Sequence, residues 1–253
     1  MRQLFSLYGP FAIQSFGLFI VIGIILFTYL FLRDPRRKKL ISSEQYYNLL
    51  SWALVAGFIG GRILYAATNW DTIPSWTHIF AFWEGGYSLL GGILMLIALV
   101  PYYLNKHHIP IMPLIDLVCV YAPILQAVSR IGCFFAGCCY GLPTTISWGI
   151  TATECHNQFL HPTQLYSATL LFGIFLFLYF FGHSLFKKTG QLTCVYLVLM
   201  SMERWIVDFW RGDREFSFIS QYFSISQLIA LIITLVGICG FIYFTLESNR
   251  NKS

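Results

Sequence analysis

Residues 17–39 read "GLFIVIGIILFTYLFLRDPRRKK". No charge interrupts residues 17–32, and five bases then follow within seven residues. Together with the apolar residues before it, the run approaches the ~20 residues needed to cross a bilayer as a helix. Polar and apolar residues do not alternate in it, which argues against a strand of an outer-membrane barrel. The reading is a membrane-spanning helix closed by a basic anchor.

The same pattern recurs along the chain. Seven segments qualify as spans: roughly 11–32, 48–68, 87–104, 111–129, 162–182, 190–209 and 219–245. The 253 residues are 57% hydrophobic and 11% charged, with a mean hydropathy of +0.66. Soluble domains are about 25% charged. The fold class expected is therefore all-α: a polytopic membrane protein of about seven helices. Polar linkers, low-complexity tracts and repeats are lacking, so residues 1–253 read as a single integral-membrane domain.

Loop charges give the orientation. With the N-terminus outside, residues 33–47, 105–110, 183–189 and 246–253 lie inside and carry ten of the 16 Lys and Arg residues. The outer segments carry four: Arg2, Arg130, Arg211 and Arg214. The positive-inside rule then predicts N-out, C-in. "RDPRRKK" faces anionic lipid, and the net charge of +5 does not mark a nucleic-acid binder. The first span lacks a suitably oriented basic leader and a small-residue cleavage site, so it is expected to stay in the mature protein. Residues 68–86 hold Trp70, Trp76 and Trp83 without Lys or Arg, as expected of an outer interfacial segment.

A charge at membrane depth costs at least ~2.5–3.5 kcal/mol, so Arg62, Asp116, Glu203, Arg204 and Asp208 call for an explanation. In "RWIVDFWRGD" (204–213), Arg204 and Asp208 share one helix face at i, i+4, and Arg211 follows on roughly the same stripe. That stripe reads either as a self-neutralising pair or as an anion site, since guanidinium forks suit phosphate. Gly60, Gly61, Gly85, Gly86, Gly91 and Gly92 read either as helix-packing glycines or as a broken helix whose N–H groups hold an anion. The stretch "SRIGCFFAGCCYG" (129–141) places Arg130 among three glycines and three cysteines. Its glycines predict a re-entrant turn lining a cavity rather than regular helix.

With these blocks in view, the chain resembles the prolipoprotein diacylglyceryl transferase family. "GGRILY" (60–65), "WEGGYSLLGG" (83–92), "SRIGCFFAGCCYG", "HPTQLY" (161–166) and "RWIVDFWRGD" occur in that family's order. The resemblance implies a seven-helix bundle with a cavity open sideways to lipid. It implies transfer of a diacylglyceryl group from phosphatidylglycerol to a lipobox cysteine of a prolipoprotein, releasing glycerol phosphate. It implies the bacterial inner membrane, an active site toward the outer leaflet and no cofactor. Carried over residue by residue, Arg130, Arg204, Asp208, Cys133 and Cys138 fall at the reaction centre. Arg62, Gly85, Gly86, Gly91, Gly92, Gly132, Gly137, Arg211, His161 and Gln164 fall at substrate-binding positions. The chain departs from the pattern at Leu90, where the family has His, and at Cys133 and Cys138, where it has Asn and Glu. Phe16 stands for a family Tyr, and Asp208 for a Glu.

These departures keep two alternatives open: a cysteine-centred phospholipid transferase with another acceptor, and a lipid-binding paralogue without activity. Cys138, Cys139 and Cys155 read as a disulfide or as an active thiol. Four outer cysteines with His156 match no common zinc spacing, so no metal is expected. Cys119, Cys194 and Cys239 lie in spans and read as packing residues. His78 and His156 are weak candidates for the missing base.

Overall fold

A computed structural model describes residues 3–8, 11–70, 86–151, 158–212, 214, 216–217 and 220–250. Seven long helices are present among them: α1 (Ser15–Arg33), α2 (Ser43–Thr68), α3 (Leu89–Lys106), α4 (Ile111–Ala136), α5 (Thr163–Phe177), α7 (Gln191–Asp208) and α8 (Ile225–Arg250). α5 continues through a π-turn (Leu178–Gly182) into the short α6 (His183–Leu185). Three two-stranded ribbons pair β1 (Gln3–Tyr8) with β2 (Phe11–Gln14), β3 (Ile150–Thr151) with β4 (Phe159–Leu160), and β5 (Phe216–Ser217) with β6 (Ser220–Ser224).

Among the described residues, six helices are long and apolar enough to cross a membrane: α1, α2, α3, α4, α5 with its continuation, and α8. The seventh expected span, α7, is a regular helix of 18 residues, but Glu203, Arg204 and Asp208 keep it outside that class. Burial is inverted relative to a soluble protein. Ile25, Trp52, Ile97, Phe180 and Ile232 are exposed, whereas Asp116, Gln164, Glu203, Asp208 and Gln227 are buried. Lipid is the solvent that makes this arrangement favourable.

The chain divides into two compact units, residues 6–11 with 34–114, and residues 1–5 and 12–33 with 115–253. In the first, a capping box starts α2: Ser42 Oγ accepts from Gln45 N, and the Gln45 side chain accepts from Ser42 N. α2 and α3 cross at glycines. A Cβ built on Gly91 would lie 2.3 Å from the Gly60 carbonyl oxygen, and one on Gly92 would lie 3.0 Å from that of Gly57. Small residues allow this approach, and the close contact contributes dispersion where no hydrophobic effect drives helices together. Gly91→Val should therefore separate the two helices and lower the thermal midpoint in detergent by several degrees. An unchanged midpoint would show that the crossing has slack.

In the second unit α1 packs on α4. Leu125 fills the space over Gly23, and Phe19 covers Gly132. Phe27, Phe31, Tyr121, Phe175 and Tyr179 form a connected ring cluster across α1, α4 and the α5 rod. α8 lies on α7, with Gly237 against Val198 and Gly240 against Cys194.

Asp116 explains itself here. Its Oδ2 accepts from Gly190 N at 2.6 Å, and its Oδ1 accepts from Thr193 N at 2.8 Å and Thr193 Oγ1 at 2.6 Å. It caps the N-terminus of α7 from another helix, where the preceding Gly190 takes φ +89° and offers no side chain to do so. Asp116→Ala leaves these donors without a partner. The expected loss is about 1–2 kcal/mol, read as a lower unfolding midpoint with the spans intact.

The turn expected at residues 130–141 begins later than the sequence suggests. α4 continues through Arg130, Gly132 and Cys133 to Ala136. A mid-helix glycine costs roughly 1 kcal/mol, but Gly132 sits where a Cβ would come within 2.7 Å of the Phe19 Cβ. Packing on α1 therefore favours the helical form. The chain turns at Gly137 (φ +70°) and Cys139 (φ +63°).

Candidate functional site

The second unit gathers the charged and thiol residues. Arg130 comes from α4, Glu203, Arg204 and Asp208 from α7, and Arg211 from the turn beyond it. Arg211 does not continue the α7 stripe. The helix ends at Asp208, and Arg211 pairs as an isolated β-bridge with Gly141, just past the cysteines. The turn after α7 and the loop after α4 are tied together by Leu142 N→Trp210 O at 2.8 Å and Gly212 N→Tyr140 O at 3.2 Å. Arg130 and Arg211 thus both act on Arg204, and the three guanidiniums, from two helices and one turn, act on Glu203.

The expected Arg204–Asp208 pair forms, with Nη2 to Oδ1 at 3.7 Å. Asp208 does more than neutralise its own helix. It is 1% exposed, its Oδ2 accepts from Ser224 Oγ at 2.5 Å, and Arg214 Nε lies 3.3 Å away. Arg204 Nη2 also donates to Ser226 Oγ at 2.7 Å. Both oxygens of Asp208 thus face partners: Oδ1 faces Arg204, and Oδ2 faces Ser224 and Arg214. Arg130, by contrast, makes no hydrogen bond or ion pair among the described residues.

Glu203 was noted in the sequence only as a charge at membrane depth. In the fold it is 6% exposed, accepts a hydrogen bond from Ser167 Oγ of α5, and lies in the field of Arg130, Arg204 and Arg211. The adjacent Arg204 hid it, because at i, i+1 the two point apart on a helix. Only the packing of α5 against α7 turns Glu203 inward.

The cysteine loop is held from α5. Gln164 Nε2 donates to Cys138 O at 2.6 Å and Thr163 Oγ1 to Cys139 O at 2.8 Å. His161 braces the same region through its backbone, with Gly141 N→His161 O at 2.8 Å and His161 N→Leu142 O at 3.0 Å. Its ring nitrogen Nδ1 lies 3.2 Å from Tyr166 OH. Cys133, Cys138 and Cys139 are free thiols. Hydrogen bonding from the Cys133 and Cys138 thiols and the charges of Arg211 and Arg130 hold Cys139 down to about 5, against the upward push of burial. Burial dominates at Cys138 and pushes its thiol up.

The other unit holds Arg62, 5% exposed, with Nη1 donating to Gly86 O at 3.0 Å. Its guanidinium carbon lies 5.7 Å from the Tyr65 ring centre and 5.8 Å from that of Tyr87. Gly86 takes φ +74° under the Tyr65 ring, where a Cβ would fall 2.5 Å from a ring carbon. Gly91 and Gly92 serve the α2–α3 crossing. Leu90, which stands where the resemblance implies a histidine, is 60% exposed. A cavity of about 330 Å³ in this unit is lined by Trp52, Leu99, Tyr103, Lys106 and His107 among others, and offers neither guanidinium nor thiol. Gly85, Cys155, His78 and His156, with Trp76 and Trp83 of the interfacial segment, lie outside the described residues.

Comparison with known proteins places the chain among its relatives. A family model described as prolipoprotein diacylglyceryl transferase matches residues 2–243. The chain is 32% identical over 243 residues to a phosphatidylglycerol–prolipoprotein diacylglyceryl transferase of Clostridium tetani, covering 94% of this chain and 95% of that one. It is 30% identical over 253 residues to the protein of that name in Clostridioides difficile, covering 100% and 98%. A Clostridium perfringens protein bearing the same name with the suffix 2 is 33% identical over 233 residues, 89% of each chain. The match runs nearly end to end and takes in every block that supplies an arginine or cysteine to the cluster, so the chain belongs to the prolipoprotein diacylglyceryl transferase family.

Proposed function

We propose that this chain, acting as one membrane domain, transfers the diacylglyceryl group of phosphatidylglycerol to the cysteine thiol of a prolipoprotein. The observation that carries the reading is Arg130: a half-buried guanidinium with no ion pair among the described residues, beside two further arginines. Cations gathered at membrane depth call for an anion, and a phospholipid phosphate brings one without leaving the bilayer. In the proposed step the acceptor sulfur forms a bond to the glyceryl carbon. The C–O bond to phosphate breaks, and its electron pair leaves on glycerol phosphate. Negative charge grows on that oxygen, so Arg130, Arg204 and Arg211 bind the transition state more tightly than the ground state.

The thiol proton passes to Glu203, whose only hydrogen bond among the described residues comes from Ser167, and from there to the departing phosphate. Asp208 positions Arg204 and Arg214. Gln164, Thr163 and His161 position the loop that carries Cys138 and Cys139, while Gly132 and Gly137 let α4 approach α1 and then turn. Arg62 and Gly86 enter the proposal as phospholipid-binding groups of the other unit. The Lys and Arg asymmetry supports N-out, C-in insertion in a bacterial cytoplasmic membrane with the chemistry at the outer leaflet. The bacterial origin of the relatives agrees with that placement.

The test uses purified full-length protein in vesicles with labelled phosphatidylglycerol and a lipobox peptide. Thioether-linked peptide and glycerol phosphate should appear together, and a peptide with Ser for the acceptor Cys should yield neither. Absence of both products with the cysteine peptide, and no growth when the gene replaces a depleted host transferase, would overturn the proposal.

A further inference from the structure

We propose that Cys133, Cys138 and Cys139 form a binding site for one thiophilic d10 cation, of which Zn²⁺ and Cd²⁺ are the practical probes. The Sγ atoms of these three residues all lie within 4.8 Å of one another, and those of Cys138 and Cys139 are 3.6 Å apart. An ion with sulfur ligands at ~2.3 Å in tetrahedral directions needs S···S separations of about 3.8 Å. The cluster therefore closes on an ion with side-chain rotations alone.

The frame that holds it is already in place. Cys133 is fixed in the last turn of α4 and is buried. The chain reverses at Gly137 and Cys139, both left-handed, so that two adjacent cysteines bring their sulfurs to the same neighbour. Cys138 N donates to Cys133 O at 3.2 Å, and Gln164 and Thr163 clamp the two following carbonyls from α5. Gln164, on α5, is 2% exposed, and its Oε1 has no hydrogen-bond partner among the described residues while its Nε2 holds the loop at Cys138 O.

Electrostatics agree. Three thiolates around a divalent cation carry a net charge of −1, and Arg130 acts on all three sulfurs while Arg211 also acts on Cys139. Spacing alone hid the site, because C-x4-C-C belongs to no familiar zinc pattern and its closure depends on the turn after α4. Binding is a simple exchange. Any thiol still protonated releases its proton to solvent, the sulfur lone pairs bond to the cation, and no electron is transferred. The ion would staple the end of α4, and with it Arg130, to the loop that follows. The inference does not depend on the transfer reaction.

The experiment uses full-length protein in detergent, reduced, treated with chelator and desalted, with its thiol titre confirmed. Cd²⁺ titration should give a thiolate-to-metal charge-transfer band saturating at one ion per chain, with proton release. Zn²⁺ should compete it away. The band should disappear in Cys133→Ser and in Cys138→Ser and persist in Cys119→Ser and Cys239→Ser. Where a variant fails to fold, alkylation footprinting of the wild-type protein gives the answer. Cd²⁺ should protect Cys133, Cys138 and Cys139 from maleimide. A fully reduced protein without the band, a band that survives in Cys133→Ser, or protection confined to other cysteines would overturn the proposal.

Discussion

Arg130→Gln should lower diacylglyceryl transfer by about 10²–10³-fold, the range for removing one pre-set donor from a developing oxyanion. The helix should fold as before. Glutamine is a good helix former, and Arg130 makes no ion pair or hydrogen bond among the described residues that the folded state would lose. The loss should fall mainly on kcat, because the phosphate gains charge as the C–O bond breaks. Arg130→Lys should recover part of the activity, since it restores the charge but not the two-pronged donor. Arg204→Gln should lose a similar factor in rate and also some stability, because Arg204 holds Ser226 and Asp208. The measurement is initial-rate kinetics in vesicles of varied phosphatidylglycerol content. A rise in KM with unchanged kcat for Arg130→Gln would mean that this arginine holds only the ground-state headgroup.

The second large effect belongs to Asp208. Asp208→Ala removes the carboxylate that accepts from Ser224 and faces Arg204 and Arg214. It leaves two guanidiniums with like charges nearby and a buried hydroxyl without its acceptor. Breaking a buried pair costs ~3–5 kcal/mol, and the low end applies because the arginine side chains are 30% and 19% exposed. The expected result is a marked fall in folded yield and in unfolding midpoint. Asp208→Asn should recover much of the stability by keeping the Ser224 contact, yet leave activity low because the arginines are no longer ordered. Full activity in Asp208→Asn would show that the carboxylate has no part in placing Arg204.

The membrane character of the chain was legible because hydropathy is a local property. Each span shows in its own twenty residues, and the basic run after α1 shows beside it. The i, i+4 pairing of Arg204 with Asp208 was legible for the same reason, since both lie on one helix. Residues 130–136 were misread as a turn because glycine propensity is local, whereas the contact of Gly132 with Phe19 comes from a helix more than a hundred residues earlier in the chain. The sequence left the reason for Asp116 open, and the answer came from the start of α7, whose N–H groups reach it from 74 residues away.

Sequence alone thus determined the solvent this protein lives in, the approximate spans, the family and the residue types available for chemistry. These follow from composition, short periodicities and ordered motifs, which need no knowledge of what packs on what. Only the tertiary structure decided which partner each buried charge meets. It set Asp116 as the cap of α7, placed Asp208 against Arg204, Arg214 and Ser224, turned Glu203 toward three arginines and gathered three sulfurs into one cluster. The reason is that burial and charge pairing depend on distance through space, and the partners concerned sit on different helices.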